Sequence, residues 1–150
     1  MPQTVRKILN PKDYLTLLDN LEKQWFFDNQ NAGHVLPISK EGLATLANSQ
    51  LLTWNYHCWS NEALDSIFLG QSGFNPLFNR TAFQEMLWLS KTGYGVKLLK
   101  AALDFAKSYD TLIMGSVSAR NNDKLKKLYQ KLGLKQDGVC WLKLQNPKTL

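Results

Sequence analysis

Apolar and polar positions along this chain fall into blocks whose period changes from one block to the next, and each period predicts an element. Residues 4–9 (TVRKIL) read as a short strand. Asn10, Pro11 and Asp13 then form a helix start signal: a side-chain cap, a proline with preset φ, and an acid in the first turn. Tyr14, Leu17, Leu18, Leu21 and Trp25 follow at helical spacing and make one apolar face. A polar loop with Asn29, Asn31, Gly33 and Pro37 leads to a second short helix, capped by Ser39 and carrying Leu43, Leu46 and Ala47.

The middle of the chain changes to strand character. Residues 51–59 (LLTWNYHCW) are rich in aromatics, 60–62 read as a turn, and 64–70 (LDSIFLG) as the next strand. Gly73, Asn75 and Pro76 predict an irregular loop before a strand over 82–89 (AFQEMLWL). The helical period returns after KTGYG (91–95), with Leu98, Leu99, Ala102, Phe105, Ala106 and Tyr109 on one face and Lys97, Lys100, Asp104 and Lys107 opposite. The run TLIMGSV (111–117) is nearly all apolar, as expected of a strand covered on both sides. Strand, helix, strand in that order is a parallel crossover. Asn122 and Asp123 open a last helix with Leu125, Leu128, Tyr129 and Leu132 inside, and Gly133 stops it. Asp137-Gly138 within 134–144 suggests a hairpin. The order β, α, α, β, β, β, α, β, α, β, β spans 1–150 as a single α/β (α+β) domain with helices packed on a mixed sheet.

Candidate chemistry begins at the glycines. Gly93 and Gly95 lie between the strand 82–89 and a helix starting at Val96, so backbone N–H groups collect at a helix N-terminus. Unpaired donors and the helix dipole both favour an anion there, and a pyrophosphate fits that description. A plain strand-to-helix turn would use the same glycines. Glu85 is the one acid on the strand 82–89, and strict alternation places it with Phe83, Leu87 and Leu89. A carboxylate among apolar neighbours titrates high, which suits a general base; pairing with a lysine or facing solvent is the alternative. His57 is a second base candidate, against the reading of a hydrogen-bonded core histidine. His34 sits in a polar loop and carries no separate signal. Lys124, Lys126, Lys127 and Lys131 read as a solvated face of the last helix, with contact to a phosphate group as the alternative.

Two of these segments together resemble the GCN5-related N-acetyltransferase (GNAT) family. Its phosphate loop reads Gln/Arg-x-x-Gly-x-Gly/Ala followed by a Leu-Leu pair, and residues 90–99 (SKTGYGVKLL) match both glycines and both leucines. Its later signature is matched in spacing by Asn122, Tyr129, Lys131, Gly133 and Leu134. The resemblance covers 82–134 by motif and the remainder by element order. It implies a mostly antiparallel sheet with a central parallel β-α-β crossover whose two parallel strands splay apart. It further implies acetyl-CoA as co-substrate and no metal. The pantetheine arm would lie on the edge at Leu87, Trp88 and Leu89, the pyrophosphate on Lys91, Thr92, Gly93, Tyr94, Gly95 and Val96, and Asn122 would touch the pantetheine. Tyr129 would stand near the thioester sulfur as a proton donor, and Glu85 occupies the strand where several members keep a glutamate base. The chain departs from the family at Ser90, which stands where Gln or Arg is usual; Lys91 offers a charge instead, as a flexible point donor rather than a fork. The link from Glu85 to Gly93 is also short.

Composition adds boundaries. The chain of 150 residues is 44% apolar and 20% charged, ordinary for one globular domain. Its two cysteines, Cys58 and Cys140, match no zinc or redox spacing and read as buried thiols. The start MPQTVRK has no apolar signal core, so a soluble, cytoplasmic protein is expected, with no membrane partner. The charge of +6 permits an acidic partner, yet no nucleic-acid-reading motif accompanies it. The leading expectation is transfer of an acetyl group to a small-molecule or peptide amine by direct attack in a ternary complex. The alternative is a non-catalytic protein of the same fold, for which the divergent loop, the Asn/Gln content and the tryptophans resemble small GNAT-like proteins of bacterial viruses. The oligomeric state is open, a homodimer included.

Overall fold

The computed structural model describes residues 4–24, 38–48, 55–91, 93–114 and 122–135. The elements are β1 (Val5–Ile8), α1 (Pro11–Lys23), α2 (Lys40–Thr45, continued by a 3₁₀ turn at Leu46–Asn48), β2 (Tyr56–Asn61), β3 (Ile67–Asn75), β4 (Arg80–Leu89), α3 (Gly95–Ala106), β5 (Thr111–Ile113) and α4 (Asn122–Lys131). Among the described residues the strands form one five-stranded sheet in chain order. All neighbours are antiparallel except β4 and β5, which run parallel with α3 as their crossover. Among the described residues no helix is long and apolar enough to cross a membrane.

Local chemistry explains the helix starts. The Asn10 side chain accepts from the Lys12 N–H at 2.8 Å, and Ser39 Oγ accepts from the Gly42 N–H at 3.0 Å. The Arg6 guanidinium reaches Asp13 at 3.2 Å and ties β1 to the first turn of α1. The Tyr14 hydroxyl donates to the Leu43 carbonyl at 2.9 Å, locking α1 against α2.

The sheet divides two cores. On one face, Tyr14, Leu17, Leu18 and Leu21 of α1 pack with Ile8, Cys58, Ile67, Leu69, Leu87 and Leu89. On the other, Leu98, Leu99, Ala102 and Ala106 of α3 pack with Trp59, Phe68 and Phe83. Phe105 and Tyr109 join that second group, where ring centroids stand about 6 Å apart in edge and tilted arrangements.

Several boundaries differ from those expected of the sequence. β3 continues through Gly73 to Asn75, where an irregular loop was expected; pairing with β4 down to Asn75↔Arg80 overrides the local breakers. The reversal is confined to 76–79, with Asn79 at φ 53°. Ser60 and Asn61 belong to β2 rather than to a turn, and β3 begins only at Ile67. The 62–66 stretch is a connection built on side-chain hydrogen bonds instead of a strand start. β5 is not enclosed on both faces among its described residues, since Ile113 is exposed. Met114 leaves the strand, and residues 115–117, the 51–54 half of the aromatic run, the loop with His34, Trp25, Cys140 and the 136–144 part of the hairpin lie outside the described residues.

Candidate functional site

The site is set by where β4 and β5 part. Their ladder runs Ala82↔Thr111, Phe83↔Leu112 and Gln84↔Ile113, and among the described residues it ends there. β4 itself goes on to Leu89, and among the described residues its Glu85–Leu89 stretch has no partner on that side. Glu85 is the first β4 residue beyond the last described pair of that ladder, and residues 115–117 of the expected second parallel strand, where the splay would lie, are outside the described residues.

A one-residue irregularity decides what points where. β3 pairs Leu69 with Leu87 but Gly70 with Glu85, so Met86 is the extra residue on β4. Leu87 and Leu89 consequently join the α1-side core while Phe83 joins the α3-side core. The strict alternation expected for Glu85 is therefore corrected: it shares a face with Phe83 but not with Leu87 and Leu89.

Glu85 is buried, with 4% of its surface exposed. Burial raises its pKa from the ordinary 4.5 to about 7, against a lesser downward pull from a hydrogen bond with Tyr129. That bond runs from the Tyr129 hydroxyl to Glu85 Oε2 at 3.3 Å, linking α4 to β4. The fold thus brings together the two residues read from the sequence as base and acid, which lie 44 positions apart. Leu128, next to Tyr129, packs on the α3-side core and anchors α4 in this place.

His57 stands apart from this pair. In the sheet it pairs with Gly70, which pairs with Glu85 on its other side. The ring of Phe83 covers that glycine so closely that a Cβ there would meet it at 2.2 Å. His57 Nε2 is 2.9 Å from Ser72 Oγ, and its ring lies 4.5 Å from that of Phe105. Burial, with the nearby Lys7 charge, lowers its pKa to about 4. It is a neutral histidine in an aromatic box.

The turn before α3 is closed by the Tyr94 N–H donating to the Lys91 carbonyl at 3.2 Å. Gly93 adopts φ 94°, a conformation that strains other residues, and Tyr94 precedes the helix without a side-chain cap. The helix begins at Gly95, one residue before the expected Val96, and Val96 is exposed. A Cβ on Gly95 would stand 2.7 Å from Ser90 Oγ, so Ser90 and Gly95 are in close approach. Lys91 binds Asp65, Nζ to Oδ2 at 2.8 Å, and its backbone N–H donates to Ser66 Oγ at 2.9 Å. No sequence pattern flags Asp65 and Ser66, because their connection to Lys91 exists only through folding. Trp88 is half-buried on the α3 side, with an indole N–H that has no protein acceptor. Asn122 is the first residue of α4. Thr92 lies outside the described residues.

No family model matches the chain, and no curated protein does. Solved structures do. A predicted acetyltransferase from Clostridium acetobutylicum, determined with acetyl-CoA, superposes with a TM-score of 0.67 at 17% identity over 96% of both chains. An aminoglycoside acetyltransferase from an uncultured soil metagenomic sample, in complex with sisomicin, gives 0.66 at 13% identity, covering 96% of this chain and 97% of that one. A ribosomal-protein-alanine N-acetyltransferase from Brucella melitensis biovar Abortus 2308 gives 0.65 at 12% identity, covering 96% and 99%. The chain has the GNAT fold.

Proposed function

We propose that this chain, built on the GNAT fold, is an acetyltransferase that moves an acetyl group from acetyl-CoA to a primary amine in the cytoplasm. The observation that carries the reading is the Glu85–Tyr129 pair, next to the last described pair of the parallel β4–β5 ladder. A carboxyl with a pKa of about 7 is half ionised at neutral pH and suits a base. Tyr129 holds a proton against it and would be the donor for the departing sulfur.

Bound acetyl-CoA would supply an activated acyl thioester. The positive-φ turn at Gly93 and the N–H groups at the start of α3 suit its pyrophosphate, with Lys91 beside them. Leu87, Trp88 and Leu89 pair with β3 alone among the described residues, so their other edge would offer backbone groups to the amide-bearing arm, and Asn122 would serve the same arm by the family's pattern. In the transfer, the amine lone pair forms the C–N bond, the C–S bond breaks, and the sulfur leaves with the electron pair. Glu85 takes the proton lost by the amine nitrogen, and Tyr129 gives its proton to the departing sulfur. The Glu85 proton then returns to the Tyr129 oxygen along their hydrogen bond, so the net change is one proton moved from amine to thiol. Orientation of the amine and backbone donors around the carbonyl supply the rest of the rate. The neighbours named for aminoglycoside and ribosomal-protein-alanine acetylation support a small-molecule or peptide amine as acceptor.

Two observations favour the second reading, a non-catalytic protein of this fold. Gly95 is explained by its packing on Ser90 alone, and Lys91 is already engaged by Asp65. Titration of melting temperature with acetyl-CoA and CoA separates the two, because a ligand selective for the native state must raise it. Catalysis predicts a rise, thiol release with an amine panel, and a fall of roughly 10²–10⁴-fold in rate for Tyr129→Phe with cofactor affinity kept. A wild type that neither binds nor turns over leaves only the second reading.

A further inference from the structure

We propose that the Asp65–Ser66 turn between β2 and β3 is the device that positions the phosphate loop, by holding Lys91 at both ends. This rests on the reading of the loop as a pyrophosphate site. The family's usual Gln or Arg is absent, and Ser90 in its place is packed against Gly95. The next residue carries the only positive charge between β4 and α3. A lysine there is a poor substitute when free, because its long stem samples many rotamers before any donor finds a phosphate.

Here the stem is not free. The ammonium of Lys91 lies 2.8 Å from Asp65 Oδ2, while the Lys91 side chain stays half exposed. An ammonium has three donors, so engaging Asp65 leaves others for an incoming phosphate oxygen. The backbone N–H of the same residue is bound to Ser66 Oγ at 2.9 Å. Both anchors belong to a connection that is itself rigid. Asp65 Oδ1 accepts from Asn61 Nδ2 at 2.6 Å, and Asn61 Oδ1 accepts from the N–H groups of Asp65 and Ser66 at 3.1 and 3.2 Å. Ser60 Oγ donates to the Ser66 carbonyl at 2.6 Å, and Asn20 of α1 donates to the Leu64 carbonyl at 2.9 Å. Asn61, Asp65 and Ser66 are all buried. Burial pushes the Asp65 pKa up, but its bonds to Lys91, Asn61 and Ser66 outweigh this and hold the carboxyl below its ordinary value, so it is ionised at neutral pH. A buried network of this extent, bonded to both the side chain and the backbone of Lys91, fixes where the Lys91 donors stand. Asp65 is thus a positioning residue that acts through Lys91.

Asp65→Asn tests this with the least disturbance. Its amide oxygen keeps the bond from Asn61, while its NH₂ group replaces the oxygen that received Lys91. The readout compares acetyl-CoA with S-acetylpantetheine, which has the thioester arm and no pyrophosphate. The expected result is a rise of roughly 5- to 20-fold in KM and Kd for acetyl-CoA, with kcat and the S-acetylpantetheine parameters within about twofold of wild type. Lys91→Ala should cause the same selective loss, and adding Asp65→Asn to it should cost nothing further. A melting curve for each variant accompanies the kinetics. The proposal is overturned by equal losses with both thioesters, by additive losses in the double variant, or by unchanged acetyl-CoA affinity in Asp65→Asn. If wild type binds acetyl-CoA and any of these occurs, the positioning role alone falls. A wild type that binds no CoA removes the pyrophosphate reading and the role built on it.

Discussion

The two faces of the sheet are built from different materials. The α1 side is an aliphatic core in which Leu17, Leu18, Leu21, Ile67 and Leu69 are fully buried, closed by the Tyr14–Leu43 bond. The α3 side is aromatic and includes buried titratable groups: His57 against Phe105, and Glu85 against Tyr129. The first face spends its burial on stability alone. The second gives up part of that gain, since a buried carboxyl and imidazole resist their charged forms. Chemistry is therefore expected on the α3 side, and stability is expected to depend more strongly on the α1 side.

The sharpest way to break this contrast is a truncation in the aliphatic core. Leu18→Ala is expected to cost roughly 2–5 kcal/mol in denaturant unfolding, because the cavity adds to the lost transfer energy. The titration of Glu85 in the folded variant should be unchanged by NMR. A loss well under 1 kcal/mol would mean that the α1 side is not the main source of stability.

Glu85→Gln should act in the opposite sense. The folded pKa of about 7 lies above the ordinary 4.5, so the unfolded chain releases its proton first as pH rises. Wild-type stability should fall as pH rises from 4.5 through about 7, by roughly 3 kcal/mol in all, and remain lower above it. Glutamine has no such titration, so the variant should be the more stable protein at pH 8 while losing acetyl transfer. Unfolding free energies at pH 4.5 and pH 8 for both proteins check this; parallel pH profiles would place the high-pKa group elsewhere.

Gly70→Ala probes the seam between His57 and Glu85. A Cβ would meet the Phe83 ring at 2.2 Å, and shifting that ring should cost roughly 1–3 kcal/mol. Near-UV circular dichroism should change with it, since Phe83 contacts Trp59 and Tyr109. An unchanged midpoint and spectrum would show that the aromatic core yields freely.

The acid-side counterpart of Glu85 is His57. Its folded pKa near 4 lies below the ordinary 6.5, so the unfolded chain binds its proton first as pH falls. The stability it contributes is complete above 6.5 and is lost as pH drops toward 4. His57→Phe should make the melting temperature less acid-sensitive by a few degrees over that window. Equal acid sensitivity in both proteins would assign it to other groups.

What could be read without coordinates was local or periodic. The caps at Asn10 and Ser39, the faces of α1 and α3, and the glycine turn before α3 all follow from residues within one helical turn of each other. The likeness to a GNAT loop and helix pair rested on fixed spacings, and such spacings survive in sequence because each is read along one element. Glu85 and Tyr129 could each be picked out for this reason, but not their hydrogen bond, which depends on how α4 docks beside β4. Strand limits from 60 to 80 were misread because cross-strand pairing carried β3 past Gly73.

The sequence by itself determined the order of the described elements, the start of most helices, and which residue types stood ready for acid–base work. Tertiary structure alone decided the register. One extra residue at Met86 sends Leu87 and Leu89 to the aliphatic face and leaves Glu85 with Phe83, because side-chain direction in a sheet changes with every step of pairing. It also decided the surroundings of Lys91. Asp65 is 26 positions away, and only the closure of the β2–β3 connection against the end of β4 brings its carboxylate within 2.8 Å of that ammonium.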